Sequence, residues 1–143
     1  MSITQTLENI SLGFIAVINR FYETPAGGVS YQDFAQDATT ALMLTQIAGQ
    51  SKVDEDICGG YEVEQNFALY LRVCPESDSD RIEAVSILAS IAEQLEQEEY
   101  FPSVDKVDFW EVKQTSTPTL IARENDAVRI YQVMFTARFE IQK

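Results

Sequence analysis

At 143 residues and 45% hydrophobic content, the chain is long enough to bury one core and short for two, so a single domain over residues 1–143 is expected. Ten Lys and Arg against 23 Asp and Glu, with no His, give a net charge of −13; that excludes a basic nucleic-acid footprint and removes the commonest general base and metal ligand. No apolar run reaches the roughly 18 residues of a membrane span, and no basic segment with an apolar core opens the chain, so neither a transmembrane helix nor a signal peptide is expected.

Residues 3–22 read as a first helix. Ile3, Leu7, Ile10, Phe14, Val17 and Phe21 recur at spacings of four and three, which places them on one face. Ser2 and Thr4 are its cap candidates. Thr24-Pro25 and the glycines at 27 and 28 stop it, and residues 23–38 read as a loop with a short helical turn at 31–37 carrying Tyr31 and Phe34. Residues 40–48 read as a strand. The polar segment 49–60 reads as a loop, with Asp54, Glu55 and Asp56 in a row. These three lack the alternating ligands and central glycine of a calcium loop and are taken as solvated.

Residues 62–73 give the clearest signal. Val63, Gln65, Phe67, Leu69, Leu71 and Val73 alternate with Glu64, Asn66, Ala68, Tyr70 and Arg72, the period-two pattern of a half-buried strand. Pro75 ends it, because proline cannot donate to a ladder. Ser77, Asp78, Ser79 and Asp80 are cap candidates for a helix over 81–95, with Asp80 and Glu83 spaced as a capping box. Its apolar stripe is read as Ile82, Val85, Leu88, Ala89, Ala92 and Leu95, the cover for the apolar strand face. Glutamates crowd its C-terminal end over residues 93–99, where the helix dipole disfavours anions.

Residues 104–113 read as a strand, with Val107 and Phe109 on one face and Trp110 and Val112 on the other. A turn-like segment at 114–118, a short strand at 119–123 and a turn at 124–126 follow. Residues 129–141 close the chain as the longest strand, alternating from Tyr131 to Ile141. The predicted fold is therefore α+β: a mixed, mostly antiparallel sheet of four to five strands with two main helices on one face.

Catalytic chemistry is not legible. No nucleophile elbow, phosphate-binding loop or dinucleotide fingerprint occurs. Among the carboxylates nothing singles out a pair. Cys58 and Cys74 flank the central strand, about 45 Å apart in extended chain, so two reduced thiols in a cytosolic protein are expected. The reading is a non-enzyme with no cofactor and no metal. The charge is uneven: residues 1–104 hold 17 acids and 4 bases, whereas residues 105–143 hold 6 of each. Arg123, Glu124, Asp126 and Arg129 put both signs at the tip of the region 114–128, the candidate assembly interface.

The segment from Cys58 to Arg72, with its glycines, Tyr61 and the Phe67-x-Leu69-x-x-Arg72 run, resembles the central strand of the minor capsid proteins of tailed bacteriophages called tail terminators. Residues 81–88 resemble that family's helix and residues 116–133 its closing hairpin, and the likeness runs from residue 3 to 141. Ala127 departs from it, since a glycine would suit that turn. The resemblance implies a subunit of a hexameric ring that caps the tail tube, stops its growth and meets the head connector. Its partners would be further copies of itself, the tail-tube protein and the connector or stopper, with genomic DNA passing through unbound. It implies residence in the virion after assembly in the host cytoplasm, and no membrane. The alternatives are another head–tail joining or completion protein and, from a different class, an acidic DNA-mimic inhibitor.

Overall fold

The computed structural model describes residues 3–21, 29–31, 41–47, 52–55, 60–123 and 127–142. Two helices, α1 (Ile3–Phe21) and α2 (Asp78–Leu95), pack on one sheet. Its strands are β1 (Val29–Tyr31), β2 (Ala41–Gln46), β3 (Lys52–Glu55), β4 (Tyr61–Val73), β5 (Val107–Gln114), β6 (Thr119–Arg123) and β7 (Arg129–Ile141). They run in the order β1-β2-β4-β7-β5, with β3 beside β4 and β6 beside β7. β2 and β3 share one edge of β4, while β5 and β6 share the outer edge of β7. All pairs are antiparallel except β1 with β2. The predicted fold class holds.

The spine is the β4–β7 ladder, in unbroken register from Tyr61–Ile141 to Val73–Arg129. Because side chains alternate, the register puts Val63, Phe67, Leu69 and Leu71 on the same face as Tyr131, Val133, Phe135 and Phe139, all buried. Phe67 and Phe135 are cross-strand partners with stacked rings 5.3 Å apart, and Phe14 of α1 closes on both at 5.3 and 5.2 Å. Leu88 of α2 lies in the same core, fully buried. Buried Ser11 donates to the Leu7 carbonyl and accepts from Gln46 Nε2, tying α1 to β2. Gly13 sits where α1 meets Pro102 and Val104; a Cβ there would lie 3.0 Å from Pro102 Cβ.

The other face of the ladder is polar. Thr136 donates to Asn66 Oδ1 (2.6 Å), Gln132 donates to the Tyr70 hydroxyl (2.9 Å), and Arg138 pairs with Glu62 (2.8 Å). The hydrogen bond to Glu62 raises the affinity of the Arg138 guanidinium for its proton. Among the described residues no helix is long and apolar enough to cross a membrane.

Several expectations are corrected. Residues 52–55 are a strand, not a loop: Lys-Val-Asp-Glu carries one apolar residue and so gives no alternation signal. Tyr31 ends β1 instead of opening a helical turn; residues 32–40, with Phe34, lie outside the described residues. The cap of α2 is Ser77, whose hydroxyl accepts the Asp80 N–H (3.3 Å) while Asp80 Oδ2 accepts the Glu76 N–H (3.0 Å). The cap thus lies three residues earlier than the Asp80–Glu83 spacing suggested. In β5 the register slips between Phe109 and Glu111, leaving Trp110 as an extra, half-exposed residue. That bulge returns Val112 to the buried face shared with Val107, against the predicted alternation. The turn at 124–126 that precedes Ala127 lies outside the described residues.

Candidate assembly interface

Two of the predicted interface residues, Arg123 and Arg129, lie at one corner of the sheet. Arg123 ends β6, Arg129 begins β7, and the two are cross-strand partners. Glu124 and Asp126, between them in the sequence, lie outside the described residues. Arg123 is exposed, and Arg129 Nη1 donates to the Val128 carbonyl at 3.2 Å. Like charges directly opposite on an antiparallel pair are destabilising. The register thus sets two cations on adjacent strand ends at this corner.

The apolar side of this corner was not legible as an interface. Every residue of β6 is exposed, including Leu120 (41%) and Ile121 (46%). Leu120 is the register partner of Tyr131, which is buried. Tyr131 forms the floor of an open groove of about 300 Å³ walled by Arg81, Ile82, Val85 and Ser86 of α2. Ile82 is 67% exposed, the most exposed large apolar side chain described. α2 packs on β4, β5 and β7, so β6 continues the sheet beyond the helix that covers it. The break that lets β6 continue β5 is held by Ser116: its hydroxyl accepts the Met134 N–H at 2.9 Å, and the Met134 carbonyl accepts the N–H groups of Thr115 and Ser116.

Ile82 was read as core because it falls in an apolar run at spacings of three and four. At about 100° per residue it lies roughly 140° around the helix from buried Leu95. The buried face is Ala84, Leu88, Ile91, Ala92 and Leu95. The signal for the exposed patch was the count itself: α2 carries more apolar residues than one face can bury.

No protein-family model matches the sequence, and no curated protein matches it. A solved structure of the virion of a native gene transfer agent particle contains a chain to which this one is similar, with a TM-score of 0.57 at 12% identity, over 97% of this chain and 92% of that one. The two share a fold. The likeness spans nearly the whole of both chains.

Among the described residues no three His, Cys, Asp or Glu side chains are grouped as a metal site. Cys74 is exposed after β4 and outside any disulfide, and Cys58 lies outside the described residues.

Proposed function

We propose that the chain is a structural subunit of a phage-like virion and, within that class, a single-domain tail terminator. The observation that carries the reading is the near-complete likeness to a chain of the gene transfer agent virion. The order of motifs from Cys58 to Val133 supports the finer assignment. In this reading six copies form a ring on the last layer of the tail tube and cover its growing surface, so no further tube subunit adds. The opposite face of the ring receives the head connector or stopper protein. Function is surface complementarity without turnover or cofactor. A net charge of −13 repels phosphate, so DNA passes the ring without being gripped. The protein is assembled in the host cytoplasm and resides at the head–tail interface of the virion.

The test is tube polymerisation. Tail-tube subunits grown with increasing amounts of this protein should give progressively shorter tubes, each ending in one ring. Tubes whose length is indifferent to its presence count against the terminator assignment.

A further inference from the structure

We infer that the free subunit pairs with a second copy through β6, strand edge against strand edge, about a twofold axis at Ile121. The contact stands apart from the ring reading: it joins two copies in solution, with no tube present.

The backbone of β6 is half used. β7 lies on one side of it, and among the described residues no hydrogen bond reaches Thr119–Arg123 from the other. A bare strand edge is a template for another strand, and native proteins guard it with charge or proline. Here Pro118 and Arg123 stand only at the two ends. The register slip between Leu120 and Ala122 leaves Ile121 without a β7 partner, and the residue pushed out is apolar. Ile82, Leu120 and Ile121 are three of the five exposed large apolar side chains described. They gather here, because Leu120 opposes Tyr131, the floor of the groove that Ile82 walls. An apolar patch bordering an unpaired edge marks a protein–protein contact.

Charge selects the second copy. The chain carries −13, yet residues 105–143 hold six acids and six bases, so β6 lies in its neutral part. A basic partner is drawn to the acidic remainder, and an acidic partner is repelled by the chain as a whole. A neutral apolar edge of five residues is matched by the same edge of another copy. The strands of the opposite sheet edge fit it less well: β3 reads Lys-Val-Asp-Glu, and β1 has three residues.

Symmetry then fixes the register. Centred on Ile121, an antiparallel pair uses all five residues of both strands. Ile121 meets its own copy, Leu120 meets Ala122 and Thr119 meets Arg123. The two copies of Arg123 stand four residues apart along the pair, about 13 Å, beyond the roughly 8–10 Å screening length near physiological salt. Sliding the axis towards Thr119 brings in Pro118, which cannot donate. Sliding it towards Arg123 brings the arginines together. A twofold contact also saturates itself, so no open-ended growth follows.

The test uses the full-length chain with one added cysteine. Directly opposed residues of an antiparallel pair have Cα atoms about 4.5–5.5 Å apart, within the span of a disulfide. Under mild oxidation Ile121→Cys should yield a covalent dimer whose linked peptides, read by mass spectrometry, join position 121 of both copies. Leu120→Cys and Ala122→Cys, mixed, should link to each other more readily than either links to itself. Sedimentation of the native chain should show a dimer. Ile121→Lys, folded by circular dichroism, should dimerise at least about tenfold more weakly, because like charges meet on the axis. A native chain that is monomeric at every concentration, or that assembles without bringing the two copies of position 121 together, overturns the pairing. So does a native dimer that Ile121→Lys leaves unchanged, or Ile121→Cys linking no better than Trp110→Cys, a half-exposed position on β5. Shortening of tail tubes is scored separately, so the pairing and the capping role can fail independently.

Discussion

Arg123 and Arg129 face each other across the β6–β7 ladder, two like charges on adjacent strand ends of a single sheet. Opposed charges of one sign destabilise an antiparallel pair by up to about 1 kcal/mol. Replacing one with an acid should therefore help the isolated subunit. Arg123→Glu is expected to keep the fold and raise the melting temperature by a few degrees, since about 1 kcal/mol shifts a domain of this size by roughly 2–8 °C. The same change should block ring formation and tail capping. Thermal melting and sedimentation together check this; a lower melting temperature, or normal rings and tails of normal length, contradicts it.

The aromatic triad joining α1, β4 and β7 sets the core prediction. Phe67 is fully buried against Phe14 and Phe135. Phe67→Ala should cost about 3–5 kcal/mol. Phe67→Asp should unfold the subunit, because an unpaired buried carboxylate costs several kcal/mol against a total stability of roughly 5–15 kcal/mol. A soluble Phe67→Asp protein with an unchanged melting temperature would be incompatible with this packing.

Two positions on α2 separate its faces. Leu88 is fully buried and Ile82 largely exposed, although both belong to the apolar run read from the sequence. Leu88→Ala should cost about 2–5 kcal/mol. Ile82→Asp should change stability by no more than about 0.5 kcal/mol, and it should abolish assembly. Denaturant unfolding of both variants, with assembly measured on the second, gives the comparison; equal destabilisation at the two sites argues against the assigned faces.

At the start of α2, Ser77 accepts the Asp80 N–H at 3.3 Å. Ser77→Ala should remove about 0.5–2 kcal/mol, the usual worth of an N-cap. Ser79→Ala, one turn position inside and without that role, should cost less. Urea midpoints would rank the two, and a larger loss at Ser79 would contradict the cap.

The parts of the fold legible in advance were those where one side of an element is buried along its length. β4 and β7 alternate because the helices cover one face only, and α1 shows its stripe because it lies on that sheet. β3 was illegible because a four-residue strand with one apolar residue, Val53, shows no period-two alternation in its sequence. The bulge at Trp110 was illegible because alternation assumes an unbroken ladder, and an extra residue reverses the faces beyond it. The candidate site was half legible. Mixed charge at the hairpin marked Arg123 and Arg129, whereas the groove beside them depends on where α2 stops covering the sheet, a tertiary fact with no local signature. Glu124 and Asp126 lie outside the described residues.

In the proposed function, copies of this chain close into a ring that caps a tail tube. Electron microscopy of tube ends after addition of the purified protein tests it most directly. A single ring of six copies on tube ends, with tube growth halted there, is the expected result. Bare tube ends beside a monomeric protein, or density distributed along the tube wall, would contradict it.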